Sequence, residues 1–126
     1  MLKFKFLLWA LTKLLQSAVK KNPACAKYIE GKELVFQMQT LNGIGRHFNI
    51  RDGKVSSIAG LTPSPKFTMT FRDAVKGFAI LSAKDSKEAF LAALQKEDLV
   101  LSGDFVEVMW FQGLTEYLQA GKKQVH

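Results

Sequence analysis

The order of apolar periodicities along the chain predicts an α+β fold, with a single five-stranded, mainly antiparallel sheet and helices on one face. Three observations predict it. A long stretch of helical period opens the chain, three segments of period two follow it with tight turns between them, and a strand, two helices, a strand and a helix close the order. At 126 residues, 48% hydrophobic and 23% charged, the chain reads as one domain, 1–126, without internal repeat or linker. A chain of this size buries roughly two thirds of its unfolded surface in one core, and the composition excludes a disordered or low-complexity protein.

Residues 1–22 predict an amphipathic basic helix. At about 100° per residue, Phe4, Leu7, Leu8, Ala10, Leu11, Leu14, Leu15, Ala18 and Val19 share one broad stripe. Lys5, Thr12, Lys13, Gln16, Ser17 and Lys20 share the other side, and Leu2, Phe6 and Trp9 fall among the lysines. The longest uncharged run, Phe6 to Thr12, is seven residues, whereas a span needs about 20. Lys13 interrupts the apolar region and no small-residue cleavage site precedes Lys20 and Lys21, so a retained segment is expected rather than a secretory signal.

The period then changes. In "ELVFQMQT" Leu34, Phe36 and Met38 alternate with Gln37 and Gln39, and Asn42-Gly43 follows as a hairpin turn. "RHFNI" puts Phe48 and Ile50 on one face, and Asp52-Gly53 turns the chain into "KVSSIAG". Residues 33–59 thus form a three-stranded antiparallel meander. Pro63 and Pro65 mark a loop, and "KFTMTF" is a fourth strand with Phe67, Met69 and Phe71 facing one way and Thr68 and Thr70 the other.

From Arg72 the pattern is helical, with Val75, Phe78, Ala79 and Leu81 or Ser82 on one face. Asp85 and Glu88 form a capping box for a second helix whose stripe is Phe90, Leu91 and Leu94. "EDLVLSG", carrying Leu101, is the last strand, and Asp104, with Glu107 three residues on, opens the closing helix. Counted from Phe105, the apolar positions Val106, Met109, Trp110, Phe111, Leu114, Tyr117 and Leu118 spread over roughly 200° of that helix, broken by Glu107. A helix packed on one layer needs a stripe of about 100° or somewhat more. The excess calls for a second apolar body, which could be a lipid, a membrane or another subunit.

The net charge of +7 is unevenly placed. Residues 1–32 hold seven lysines against Glu30, for +6, and the remainder is nearly neutral at +1. A positive field at one end suits an extended anionic surface, phospholipid or nucleic acid. Lys3, Lys5, Lys13, Lys20 and Lys21, with Phe6 and Trp9, are the candidate membrane-docking residues; the aromatics could equally meet another part of the fold or a dimer mate. Nucleic-acid binding is not expected, because the strands carry Thr, Ser and Gln instead of basic residues interleaved with aromatics.

Nothing in the sequence marks an enzyme, a metal site or a cofactor. His47 and His126 have no evident acid partner, and the single cysteine, Cys25, has no identifiable base and can form neither an internal disulfide nor a four-ligand zinc site. The lone thiol suits a reducing compartment, and a cytoplasmic protein, free or peripheral to a membrane, is expected. "NGIG" lacks the strand-loop-helix context and the lysine of a phosphate loop.

The segment "KFTMTFRDAVKGFAILSAKDSKEAFLAALQKEDLVLSGDFVEVMWFQGLTEYL", with "FNIRDGKVSSIAG" before it, resembles the sterol carrier protein (type two) lipid-transfer domain family over residues 48–118. The matching features are the alternating strand with Thr68 and Thr70, Asp73 opening a helix, the helix from Phe90 onward, and Gly103-Asp104 before the closing helix. The chain departs from that pattern in having Gln95-Lys96-Glu97 where the family often has a glycine, and it ends in "KKQVH" instead of the peroxisomal tripeptide. A bacterial relative is therefore expected, similar to the accessory proteins of ubiquinone biosynthesis, which pair a basic, apolar N-terminal segment with this domain.

The resemblance implies an apolar tunnel between sheet and helices that holds a sterol, fatty acyl or isoprenoid lipid without catalysis. The residues it would recruit are Phe36, Met38, Phe48, Ile50, Phe67, Met69, Phe71, Phe78, Leu81, Phe90, Leu94, Leu101, Met109, Trp110 and Leu114. Ordinary core packing competes with lipid contact at each of these positions. A subunit using its apolar faces in a homodimer or a biosynthetic complex is the alternative reading.

Overall fold

The computed structural model describes residues 2–81 and 85–123, with side chains described up to Leu118 other than those of Phe78, Leu81 and Ser86. The chain runs α1 (Leu2–Lys21), α2 (Pro23–Ile29), β1 (Leu34–Thr40), β2 (Gly45–Arg51), β3 (Lys54–Ala59), β4 (Phe67–Phe71), α3 (Ala74–Leu81), α4 (Ser86–Lys96), β5 (Leu99–Gly103) and α5 (Phe105–Lys123). The fold is α+β, and its five strands form one open mixed sheet in the order β3-β2-β1-β4-β5.

Three of the four pairings are antiparallel, and β1 pairs with β4 in parallel. The parallel pair follows from the path of the chain. β3 closes the meander at one edge, so the chain must cross the sheet before it can extend the other side. Residues 60–66 make that crossing over the outer face, where Thr62 N–H donates to Gln37 Oε1 (2.9 Å) and Lys66 N–H to the Val35 carbonyl (2.7 Å). The crossing shields Gln37 and Thr68, which are buried on the outer face and hydrogen-bond each other at 3.2 Å.

Local chemistry sets the corners. Asp52 and Gly53 both take left-handed φ values, 56° and 73°, as the tight hairpin between β2 and β3 demands. Gly103 (φ 103°) joins β5 to α5, and a Cβ there would stand 2.7 Å from Phe67 Cα, so the corner requires glycine. Before β5 the missing glycine is replaced by Glu97 itself, which adopts φ 62° and turns its N–H onto the Ala93 and Leu94 carbonyls.

The helices lie on one face of the sheet. α1 buries Phe4, Leu8, Thr12 and Leu15, and the Phe4 ring meets Phe71 edge-on at 5.9 Å. α3 crosses α1 at Gly77, where a Cβ would stand 2.6 Å from Phe4 Cε1. This close crossing corrects the expected face of α3. Ala74, Gly77 and Ile80 turn inward while Val75 and Ala79 are exposed, because Gly77, without a Cβ, is the residue that lets α3 approach the Phe4 ring.

Two further expectations change on α1 and α5. Thr12, expected on the polar side of α1, is buried and bonded to Ser57 at 2.7 Å, and Leu14, expected in the stripe, is exposed. Asp104 caps α5 through Val106 N–H (3.0 Å), but Glu107 pairs with Lys32 instead of completing a capping box. α2 was not anticipated, although Asn22-Pro23 is its signal: Asn22 Oδ1 accepts from Ala24 N–H (3.0 Å) and Pro23 starts the helix.

Candidate functional site: an apolar interior between sheet and helices

Strand pleating sends alternate side chains to opposite faces, so registered partners share a face. Phe36 pairs with Phe48 on β2 and Phe67 on β4, Met38 with Met69, Leu34 with Ile50, Met69 with Leu101, and Phe71 with Leu99. The sheet thus presents one almost wholly apolar surface to the helices. Phe36 stands at its centre, stacked on Phe48 at 5.0 Å and on Phe67 at 4.9 Å, and Phe111 of α5 closes over it at 4.7 Å. Arg46 is the one charged residue among the strand positions of this face.

The expected lipid-contacting residues separate by depth. Phe36, Met38, Phe48, Ile50, Phe67, Met69, Phe71 and Leu114 are buried together in this layer. Phe90 and Leu94 of α4, Leu101 and Trp110 are half-buried against it. Met109 is 55% exposed, because the inward stripe of α5 is Val108, Phe111 and Leu114 and the next residue is turned about 100° away. The side chains of Phe78 and Leu81 lie outside the described set. Phe4 and Leu8, expected on the apolar stripe of α1, join the same cluster, whereas sequence reasoning missed Cys25, Ile29, Val55 and Leu99 as parts of it. Val55 had a legible signal in its alternation with the polar residues of β3; Cys25 and Ile29 belong to the unanticipated α2.

The broad apolar arc of α5 resolves into three surfaces. Its inner stripe covers the sheet. One flank meets α2, where Tyr28 stacks on Trp110 at 5.1 Å, donates its hydroxyl to the Trp110 carbonyl at 2.7 Å and leans on Tyr117 at 5.5 Å. Lys32 lies 4.8 Å from the Trp110 ring centroid and pairs with Glu107, which fixes the start of the helix. Burial, with the nearby Tyr117 and Glu116, pushes the Tyr28 phenol up. The third flank, Phe105, Val106 and Met109, is exposed.

α1 carries the expected docking residues outward: Lys3, Lys5, Phe6, Trp9, Lys13, Lys20 and Lys21 are all exposed. Phe6 and Trp9 sit 5.7 Å apart, and Lys13 Nζ lies 5.6 Å from the Trp9 ring. Among the described residues no helix is long and apolar enough to cross a membrane. His47 Nδ1 lies 3.1 Å from the Gly60 carbonyl at the surface, and His126 is outside the described residues. Cys25 is buried, and desolvation pushes its thiol up. Among the described residues no three His, Cys, Asp or Glu side chains gather as a metal site.

No protein-family model and no curated protein matches the chain. Solved structures do. One titled "UbiJ-SCP2 Ubiquinone synthesis protein" superimposes with a TM-score of 0.64 at 15% identity, over 87% of this chain and 88% of that one. A Thermus thermophilus protein described as "possibly sterol carrier protein" gives 0.54 at 14% identity, over 86% and 81% of the two chains. The sec-alkyl sulfatase PisA1 gives 0.55 at 14% identity over 71% of this chain, which spans only 14% of that enzyme. The chain therefore has the sterol-carrier-protein type of fold. Its resemblance extends to the ubiquinone-synthesis representative of that fold over nearly the whole length of both chains.

Proposed function

We propose that the protein is a non-catalytic carrier that holds an apolar lipid between its sheet and its helices and meets membranes through α1. The observation that carries this reading is the one-sided sheet. Its inner face is a layer of phenylalanine and methionine, rich in soft side chains that repack around differently shaped chains. The likeness to sterol carrier folds supports the same reading. Binding would rest on desolvation, at about 0.8 kcal/mol for each methylene removed from water, so a fatty acyl or isoprenoid chain needs no specific hydrogen bond to be retained. The outward lysines of α1, with Phe6 and Trp9, would bring the domain to an anionic bilayer for loading and release.

Extraction of the purified protein with organic solvent tests the carrier reading: co-purified acyl or isoprenoid lipid is expected, and a lipid-free extract from a protein whose melting temperature no lipid raises would contradict it. A second reading, an accessory subunit of a lipid or ubiquinone biosynthetic complex, is favoured by the exposed Phe105, Val106 and Met109 flank of α5. A clean extract together with a tight oligomer or complex would select it.

A further inference from the structure

The apolar inner face of the sheet has one polar corner. Arg46, in register with the buried Met38, points from β2 to the helix side, and its Nε–H donates to Ser57 Oγ at 2.6 Å. Ser57 and Thr12 hydroxyls lie 2.7 Å apart, and Thr12 donates its proton to the Leu8 carbonyl at 3.0 Å. With that proton committed, Ser57 must donate to Thr12. The chain of donors therefore runs one way, from Arg46 through Ser57 and Thr12 to the α1 backbone. It fixes the guanidinium by its Nε edge and leaves the four N–H groups of its terminal fork unassigned to any acceptor among the described residues. No carboxylate pairs with Arg46 among those residues.

Helix α1 borders this corner. Gln16 of α1 donates to the Val55 carbonyl at 2.7 Å and Thr12 meets Ser57, so α1 runs antiparallel to β3. Four residues of helix rise about 6 Å, which matches two residues of strand at about 3.3 Å each. An arginine fork on a half-buried side chain in register with Met38, oriented by the protein and with no carboxylate partner among the described residues, is suited to a carboxylate or phosphate.

We propose that Arg46 receives the anionic head of the bound lipid, so that the ligand is a long apolar chain ending in a carboxylate or a phosphate. This rests on the carrier reading and deepens it. The chain lies along the Phe36–Met38–Met69 layer, and the head stops at the β2 corner, at the Arg46 fork.

Calorimetric titration of the full chain with dodecanoate and with 1-dodecanol tests it. The acid is expected to bind at least about tenfold more tightly than the alcohol, equivalent to about 1.4 kcal/mol. Arg46→Met is expected to bring the acid to the alcohol's affinity and leave the alcohol unchanged, while Arg46→Lys keeps part of the preference. In the unmutated protein the Arg46 Nε–H resonance is expected to shift with the acid and not with the alcohol. This second readout decides the matter even where Arg46→Met fails to fold. Equal affinities, an undiminished preference in a folded Arg46→Met protein, or an unmoved Arg46 resonance would overturn the head assignment and leave the carrier reading standing; failure of both ligands to bind would overturn the carrier reading itself. Inorganic phosphate alone is expected not to raise the melting temperature. An Arg46-dependent rise would assign the corner to a free anion instead of a lipid head.

Discussion

Truncating Phe111 to alanine removes the ring by which α5 closes the layer. Phe111 is 3% exposed, and its ring lies 4.7 Å from Phe36 and 6.1 Å from Phe67. Loss of a buried phenylalanine ring costs about 3–5 kcal/mol through lost transfer energy and the void left behind. Of this, about 0.5–1.5 kcal/mol belongs to each aromatic pair beyond its buried area. With a urea slope of about 1–3 kcal/mol/M, the unfolding midpoint should fall by about 2 M while the slope stays unchanged. Urea titration followed by circular dichroism reads both quantities. Repeating it with Phe36→Ala and the double variant should give a non-additive pair, since both remove the same contact. A loss below about 1 kcal/mol, or strict additivity, would refute the argument that α5 is held to the sheet by this ring.

Gly77→Val should destabilise by about 1–3 kcal/mol, because its branches would enter the space occupied by the Phe4 ring; a thermal melt checks it. Tyr28→Phe should cost about 0.5–1.5 kcal/mol through the lost bond to the Trp110 carbonyl. Because the folded Tyr28 phenol is pushed above its usual value, its contribution is complete below the ordinary tyrosine range and declines as pH rises through and beyond it. The Tyr28→Phe protein should lose less stability than the parent over that alkaline range. Cys25, buried and with its thiol pushed up, should resist iodoacetamide at pH 8 in the native protein and react readily in urea. Reversal of Lys3, Lys5, Lys13, Lys20 and Lys21 to glutamate should abolish binding to anionic vesicles, and added salt should weaken it in the parent; binding indifferent to salt would remove the electrostatic part of α1 docking.

Much of this architecture is written locally. The meander was legible because Asp52-Gly53 and the alternation of Phe36, Met38, Phe48 and Ile50 are decisions made within a few residues. The inner face followed from the same period. What sequence could not supply was rotation about a helix axis when both sides are apolar. The period of α3 pointed to the face of Val75 and Ala79, and the close crossing at Gly77, a contact more than 70 residues distant in sequence, turned Ala74, Gly77 and Ile80 inward instead. The same limit explains Met109, one step off the inward stripe of α5. The polar corner was invisible for a different reason: Thr12, Arg46 and Ser57 come from three elements, and no spacing links them before the sheet and α1 are assembled.

The methionine methyls offer the most direct test of where a lipid lies. Met38 and Met69 are buried in the central layer and Met109 is exposed on the outer flank of α5. With methyl-labelled methionine and an unlabelled fatty acid, the account predicts nuclear Overhauser contacts from the chain methylenes to Met38 and Met69. Contacts confined to Met109, with Met38 and Met69 unchanged, would place the chain on the surface and contradict a carrier that shelters its lipid between sheet and helices.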